Sequence, residues 1–124
     1  MDKWVNLGIG SLAGGFSRYV LAGAVHKVSG AGFPYGTMAV NLSGCLIIGF
    51  LDTLAEEKFA LDPGARLLLM TGFCGAFTTF STLILETAHL MQNGEFGRAS
   101  ANVIASLVFG LALFKLGAYI GRVI

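Results

Sequence analysis

The chain has 124 residues, of which 55% are hydrophobic and 12% charged, and its formal net charge is +1. An ordinary soluble domain carries about 25% charged residues, and a chain this short has a high surface-to-volume ratio that needs polar cover. The composition therefore excludes a soluble globular domain, and the near-neutral charge gives no footing for nucleic acid or an acidic partner.

The apolar residues are gathered into runs. Residues 28–51, 67–85 and 99–114 contain no charge, and a helix needs roughly 20 mostly apolar residues to cross the hydrocarbon core. These runs predict an all-α integral membrane protein: a single domain, 1–124, of four transmembrane helices. The first span is 4–25 and is interrupted by Arg18. The second, 33–54, is approached through Pro34, a residue suited to a first helical turn. The third is 67–90 and the fourth 99–120. Asp62-Pro63-Gly64 and Asn93-Gly94 mark turns between spans. Trp4, Tyr35 and Tyr119 sit near span ends, where amphipathic rings favour the headgroup level. No cleavable leader is expected, because the first apolar run is too long for one. Cys45 and Cys74 lie inside apolar runs and read as packing residues.

Four spans put both termini on one side. Lys3, Lys58, Arg66, Lys115 and Arg122 fall towards that side, and Lys27 and Arg98 towards the other. This asymmetry is weak, and it suits either a termini-in protein or one that inserts both ways. Gly10 and Gly14, Ser106 and Gly110, and Gly117 and Gly121 are each four apart, a spacing that lets helix backbones approach closely. Four helices enclose little pore, so an oligomer is expected, most simply a two-fold dimer.

Polar groups within the spans are costly and are the candidates for function. The third span reads Gly72-Phe73-Cys74-Gly75-Ala76-Phe77-Thr78-Thr79-Phe80-Ser81-Thr82. Two readings are open: a break at mid-membrane, or an unbroken helix whose hydroxyls bond back to their own carbonyls. A break would expose carbonyls that favour a cation at one half-helix end and N–H groups that favour an anion at the other. Thr79, Thr82, Glu86 and His89 share one face at 3.6 residues per turn. Hydroxyls hold an anion weakly enough to release it, as a pore requires. Glu86 suits a vestibule, an ion pair or a proton relay. Arg18 suits snorkelling towards the interface or a polar site, and Asn41 a bond between helices or a pore contact. No catalytic motif is present, and an enzyme is not expected.

Three motifs in order resemble the Fluc, or CrcB, fluoride channels of bacteria. They are Gly14-Gly15-Phe16-Ser17-Arg18-Tyr19, Gly36-Thr37-Met38-Ala39-Val40-Asn41-Leu42-Ser43-Gly44, and the third-span stretch above followed by Glu86. The resemblance covers the whole chain. It implies a multi-pass protein of the bacterial inner membrane, an antiparallel dual-topology homodimer with two pores, and passive export of fluoride. It further implies a central structural sodium ion held by the backbone carbonyls of Gly75 and Thr78 from both subunits. Phe80, Ser81, Thr82 and Asn41 correspond to the fluoride pathway, with Thr79 beside them. The family often has a second phenylalanine at the position of Leu83; Leu83 is expected to line the fluoride pathway too, but leucine has no electropositive ring edge to offer. A small proton-coupled exporter of the four-helix multidrug type is the alternative. Such exporters rely on an acid in the first span, whereas here the acid is Glu86 in the third.

Overall fold

A computed structural model describes residues 2–124. They form four long helices with no strand among them: α1 Lys3–Ser29, α2 Tyr35–Glu56, α3 Pro63–Gln92 and α4 Phe96–Val123. α2, α3 and α4 are each long and apolar enough to cross a membrane. α1 has the length, at 27 residues, but Arg18 and its glycines dilute its apolar content.

Local chemistry sets the helix ends. Asp2 accepts a hydrogen bond from the Trp4 N–H at 3.0 Å and caps α1. Gly30, at φ 77°, closes the same helix by donating its N–H to His26 O. Asp62 caps α3 through the Ala65 N–H at 2.8 Å, with Pro63 in the first turn. Pro34 stands one residue before α2 instead of inside it, and its carbonyl accepts from Met38 N–H.

α3 is not a uniform α-helix. Residues 67–74 are wound as a π-helix, a widening that sequence periodicity does not reveal. Helical bonding then stops after Phe77 and resumes at Phe80, with Thr78 (φ −97°, ψ 159°) and Thr79 (φ −151°, ψ 115°) extended between them.

The small-residue pairs are used within the chain. A Cβ at Gly10 would lie 2.0 Å from Leu68 O, and one at Gly14 would lie 2.2 Å from Phe73 O, so α1 packs backbone to backbone on the π-wound segment. Gly49 and Gly117 do the same between α2 and α4, where a Cβ at either would lie 2.1 Å from a carbonyl oxygen of the other helix. Lipid supplies no hydrophobic force between helices, so close packing of this kind takes its place. These glycines therefore give no support to an oligomer, although their spacing alone had suggested one.

Outside the spans, Arg66 pairs with Glu56 and donates to Ala55 O, tying α3 to the end of α2. Arg122 makes a two-pronged contact with Glu57, at 2.8 and 2.9 Å. That guanidinium holds the Glu57 carboxyl below its ordinary range. Much of the remaining surface is apolar, including Phe16, Val20, Phe80, Leu107, Phe109 and Leu111, which suits lipid or a second protein surface.

Candidate functional site

The site is organised by the extended pair Thr78-Thr79. Each extended residue removes helical hydrogen bonds, and in hydrocarbon the freed groups need other partners. Asn41 on α2 supplies two of them. Its Nδ2 donates to Thr79 O at 3.0 Å, and its Oδ1 accepts from Thr79 N–H at 2.7 Å. Gly44, one turn on, leaves room for Thr78, whose Cγ2 would lie 2.2 Å from a Cβ there. Arg18 on α1 donates from Nε to Ala76 O at 3.0 Å, so its side chain caps a freed carbonyl instead of reaching for the interface.

On the far side of the pair, Thr79 Oγ1 accepts from Thr82 N–H at 3.2 Å and donates to Thr82 Oγ1 at 3.0 Å. Thr79 is thus the N-cap of Phe80–Gln92. The first-turn N–H groups of Phe80 and Ser81 have no helical acceptor, so this end is electropositive. On the near side, Thr78 donates from N and Oγ1 to Cys74 O. Because Thr79 N–H goes to Asn41 and Thr82 N–H to Thr79 Oγ1, the Gly75 and Thr78 carbonyls receive no helical donor. Gly75 is exposed, with nothing within 4 Å of where its Cβ would be.

Two cavities flank the interruption, and Thr79 lines both. One, of about 410 Å³, is mostly apolar and brings together Asn41, Gly75, Thr78, Phe80, Leu83 and Ser106. Phe80 is 73% exposed, and its ring is largely uncovered by the chain, whereas Leu83 is only 7% exposed and is packed within it. The other cavity, of about 380 Å³, gathers Arg18, Thr79, Thr82 and Glu86. Ser81 lines neither; its Oγ lies 3.3 Å from Thr79 Oγ1. Thr79, Thr82 and Glu86 of the third span's polar face thus form one wall of the second cavity, with His89 outside it, and Phe80 and Leu83 belong to the first.

Asn102 escaped the sequence reading, and Ser106 was read only as a small packing residue. Asn102, 1% exposed, donates from Nδ2 to Thr87 Oγ1 at 3.0 Å. Its Oδ1, together with Ser106 Oγ and Glu86 Oε1, is buried without a hydrogen-bond partner among the described residues. An amide inside an apolar run, with a serine four residues on, was the available signal.

Comparison with known proteins places these features in a family. Residues 5–118 match the family described as "CrcB-like protein, Camphor Resistance (CrcB)". The chain is 50% identical over 122 residues to "Fluoride-specific ion channel FluC" of Chlorobaculum tepidum, covering 98% of this chain and 96% of that one. A protein of the same name from Nitratidesulfovibrio vulgaris is 42% identical over 124 residues, covering 100% of both chains. One from Maridesulfovibrio salexigens is 38% identical over 124 residues, covering 100% of this chain and 98% of that one.

Proposed function

The chain belongs to the CrcB family, and from that premise we propose that it is a fluoride-specific channel, not an enzyme, which lets fluoride leave the cell passively and so confers fluoride resistance. Hydrogen fluoride crosses membranes as a neutral weak acid and loses its proton in a near-neutral cytoplasm. The trapped anion needs only a selective pore, because the membrane potential drives it outward. The observation that carries this reading is the split polarity of the interruption in α3. Carbonyls face one way, and a capped helix N-terminus with Phe80, Ser81 and Thr82 faces the other.

In this reading all four helices span the cytoplasmic membrane of a bacterium, and Thr78-Thr79 lies near its midplane. The 13 residues of Phe80–Gln92 cover about 20 Å at 1.5 Å per residue, enough to reach from there to the surface. Asn41 positions the extended pair; both ends of its amide are engaged by Thr79, which leaves one N–H for an anion. Phe80 and the hydroxyls of Ser81 and Thr82 replace water around fluoride, with Thr79 beside them orienting the Thr82 hydroxyl and Ser106 as a further donor on α4. Arg18 caps Ala76 O and keeps a positive charge beside the path, while Glu86 stands at its wider end. Leu83 packs in the wall and contributes no ring edge, so Phe80 is the aromatic contact from this chain.

A second, antiparallel copy completes the assembly, with a pore for each protomer. The uncovered Phe80 and Gly75, the apolar cavity between them and the weak charge asymmetry all favour it. The Gly75 and Thr78 carbonyls fit a hard monovalent cation: they are freed oxygens at the negative end of a half-helix. A second copy would double their number around one central sodium ion, whose charge would offset the carbonyls packed at the axis.

Liposomes loaded with potassium fluoride test this function. Adding valinomycin is expected to release fluoride rapidly with no proton gradient imposed, and to release little chloride. A folded, reconstituted protein that releases no fluoride would exclude it.

A further inference from the structure

The cavity at Thr79 and Thr82 does not end at Glu86. It adjoins another of about 330 Å³, and the two share His26, Pro34 and Glu86. Together they run from the interruption in α3 out to the α3–α4 turn at Asn93. Every helix around this vestibule contributes to its charge except α2, whose lining residues do not ionise. α1 gives Arg18, Tyr19 and His26, α3 gives Glu86 and His89, and the start of α4 gives Glu95 and Arg98. Lys27 adjoins His26 in sequence but does not line the space.

The fixed charges are balanced. Arg98 stands 3.9 Å from Glu95 and donates to Gly32 O at 2.7 Å, so both are held at the rim. Arg18 and Glu86 line the inner end, with no ion pair between them among the described residues. The balance therefore turns on the two histidines. Both are exposed, and neither imidazole makes a hydrogen bond within the described chain. Imidazole is the side chain that changes charge between about pH 5 and 8, an interval over which fluoride remains the anion.

Resting on the channel reading above, we propose that this vestibule is an anion-capture site for fluoride, switched on by protonation of His26 and His89. With both imidazoles neutral, the walls carry no net charge and the mouth is filled by diffusion alone. With both protonated, the walls become net positive and draw small anions towards Thr82. A wall of one sign with low-dielectric backing concentrates its counter-ion. Two charges at cavity distance, partly screened, raise the local anion concentration by about 2–5-fold at low salt.

Currents across planar bilayers test this, because neutral hydrogen fluoride carries none. At subsaturating fluoride and low ionic strength, lowering the pH from about 7.5 to about 5.5 is expected to raise the current about 2–5-fold. An impermeant salt should remove the rise. The double variant His26→Gln with His89→Gln is expected to give equal currents at the two pH values, while Glu86→Gln keeps a rise. A flat wild-type current overturns the proposal. So does a rise that survives in the double variant, or one that vanishes only in Glu86→Gln, which would assign it to the carboxyl group. Fluoride current that is present but indifferent to pH defeats this inference alone, whereas no fluoride current at either pH defeats the channel reading.

Discussion

Asn41 and Thr79 are joined by two opposed hydrogen bonds: the side-chain amide donates to the Thr79 carbonyl at 3.0 Å and accepts from its N–H at 2.7 Å. One side chain thus replaces the helical partners that Thr79 gives up, and it does so from a different helix. Asn41→Asp keeps an acceptor for the N–H but sets a second oxygen against the Thr79 carbonyl and adds a negative charge beside the path. Fluoride flux is expected to fall more than about tenfold, with stability lower by about 1–2 kcal/mol. Efflux from liposomes and thermal unfolding in detergent read the two effects. Unchanged values in both would show that the paired bonds do not hold the interruption open.

The glycines divide into two kinds. Gly14 and Gly49 each lie against a carbonyl of a neighbouring helix, and a methyl group at either would overlap it. Gly14→Ala and Gly49→Ala are expected to destabilise the chain by about 1–3 kcal/mol. Gly75 meets nothing in its own chain, so Gly75→Ala should leave the fold intact and lower the dimer fraction. Gel filtration with light scattering separates these outcomes. A Gly75→Ala protein that dimerises as tightly as the wild type would move the subunit contact elsewhere.

Phe80 is the large side chain that the chain leaves uncovered at the interruption. Replacing its ring edge, which carries partial positive charge, by an aliphatic group of similar exposure tests its part in conduction. Phe80→Ile is expected to cut fluoride efflux at least about tenfold, equivalent to roughly 1.4 kcal/mol on the barrier, while the dimer persists. An unchanged rate would remove Phe80 from the pathway.

The proposed central sodium ion is open to a direct test. Prolonged dialysis into sodium-free buffer is expected to lower both flux and melting temperature, with recovery when sodium returns. If both stay constant at nanomolar residual sodium, the Gly75 and Thr78 carbonyls do not depend on that ion.

The helix count was legible because charge-free runs and turn signals are local properties of the chain. Asp62-Pro63-Gly64 and Asn93-Gly94 marked their boundaries within a few residues. The extended pair was legible as one of two possibilities, since a Gly- and Thr-rich stretch tolerates both a back-bonded helix and an interruption. What decided it locally was the reach of Asn41 and Arg18 from two other helices, and nothing in the third-span sequence records that reach. The π-wound residues 67–74 were illegible for a similar reason: their winding accompanies the approach of Gly10 and Gly14 on α1, a tertiary contact. Small-residue spacing misled in the other direction. It reports close packing but not whether the partner helix belongs to the same chain. Asn102 and Ser106 were present as polar residues in an apolar span, and only burial set them apart from their neighbours.

The central claim is that the interruption of α3 forms a passive, fluoride-selective pore. The reversal potential of the current in planar bilayers tests it most directly, under a fluoride gradient with and without an opposing pH gradient. A reversal at the fluoride equilibrium potential, unmoved by the pH gradient or by replacing chloride, is the predicted result. A reversal that shifts with the proton gradient would contradict it and would point to coupled exchange through Glu86.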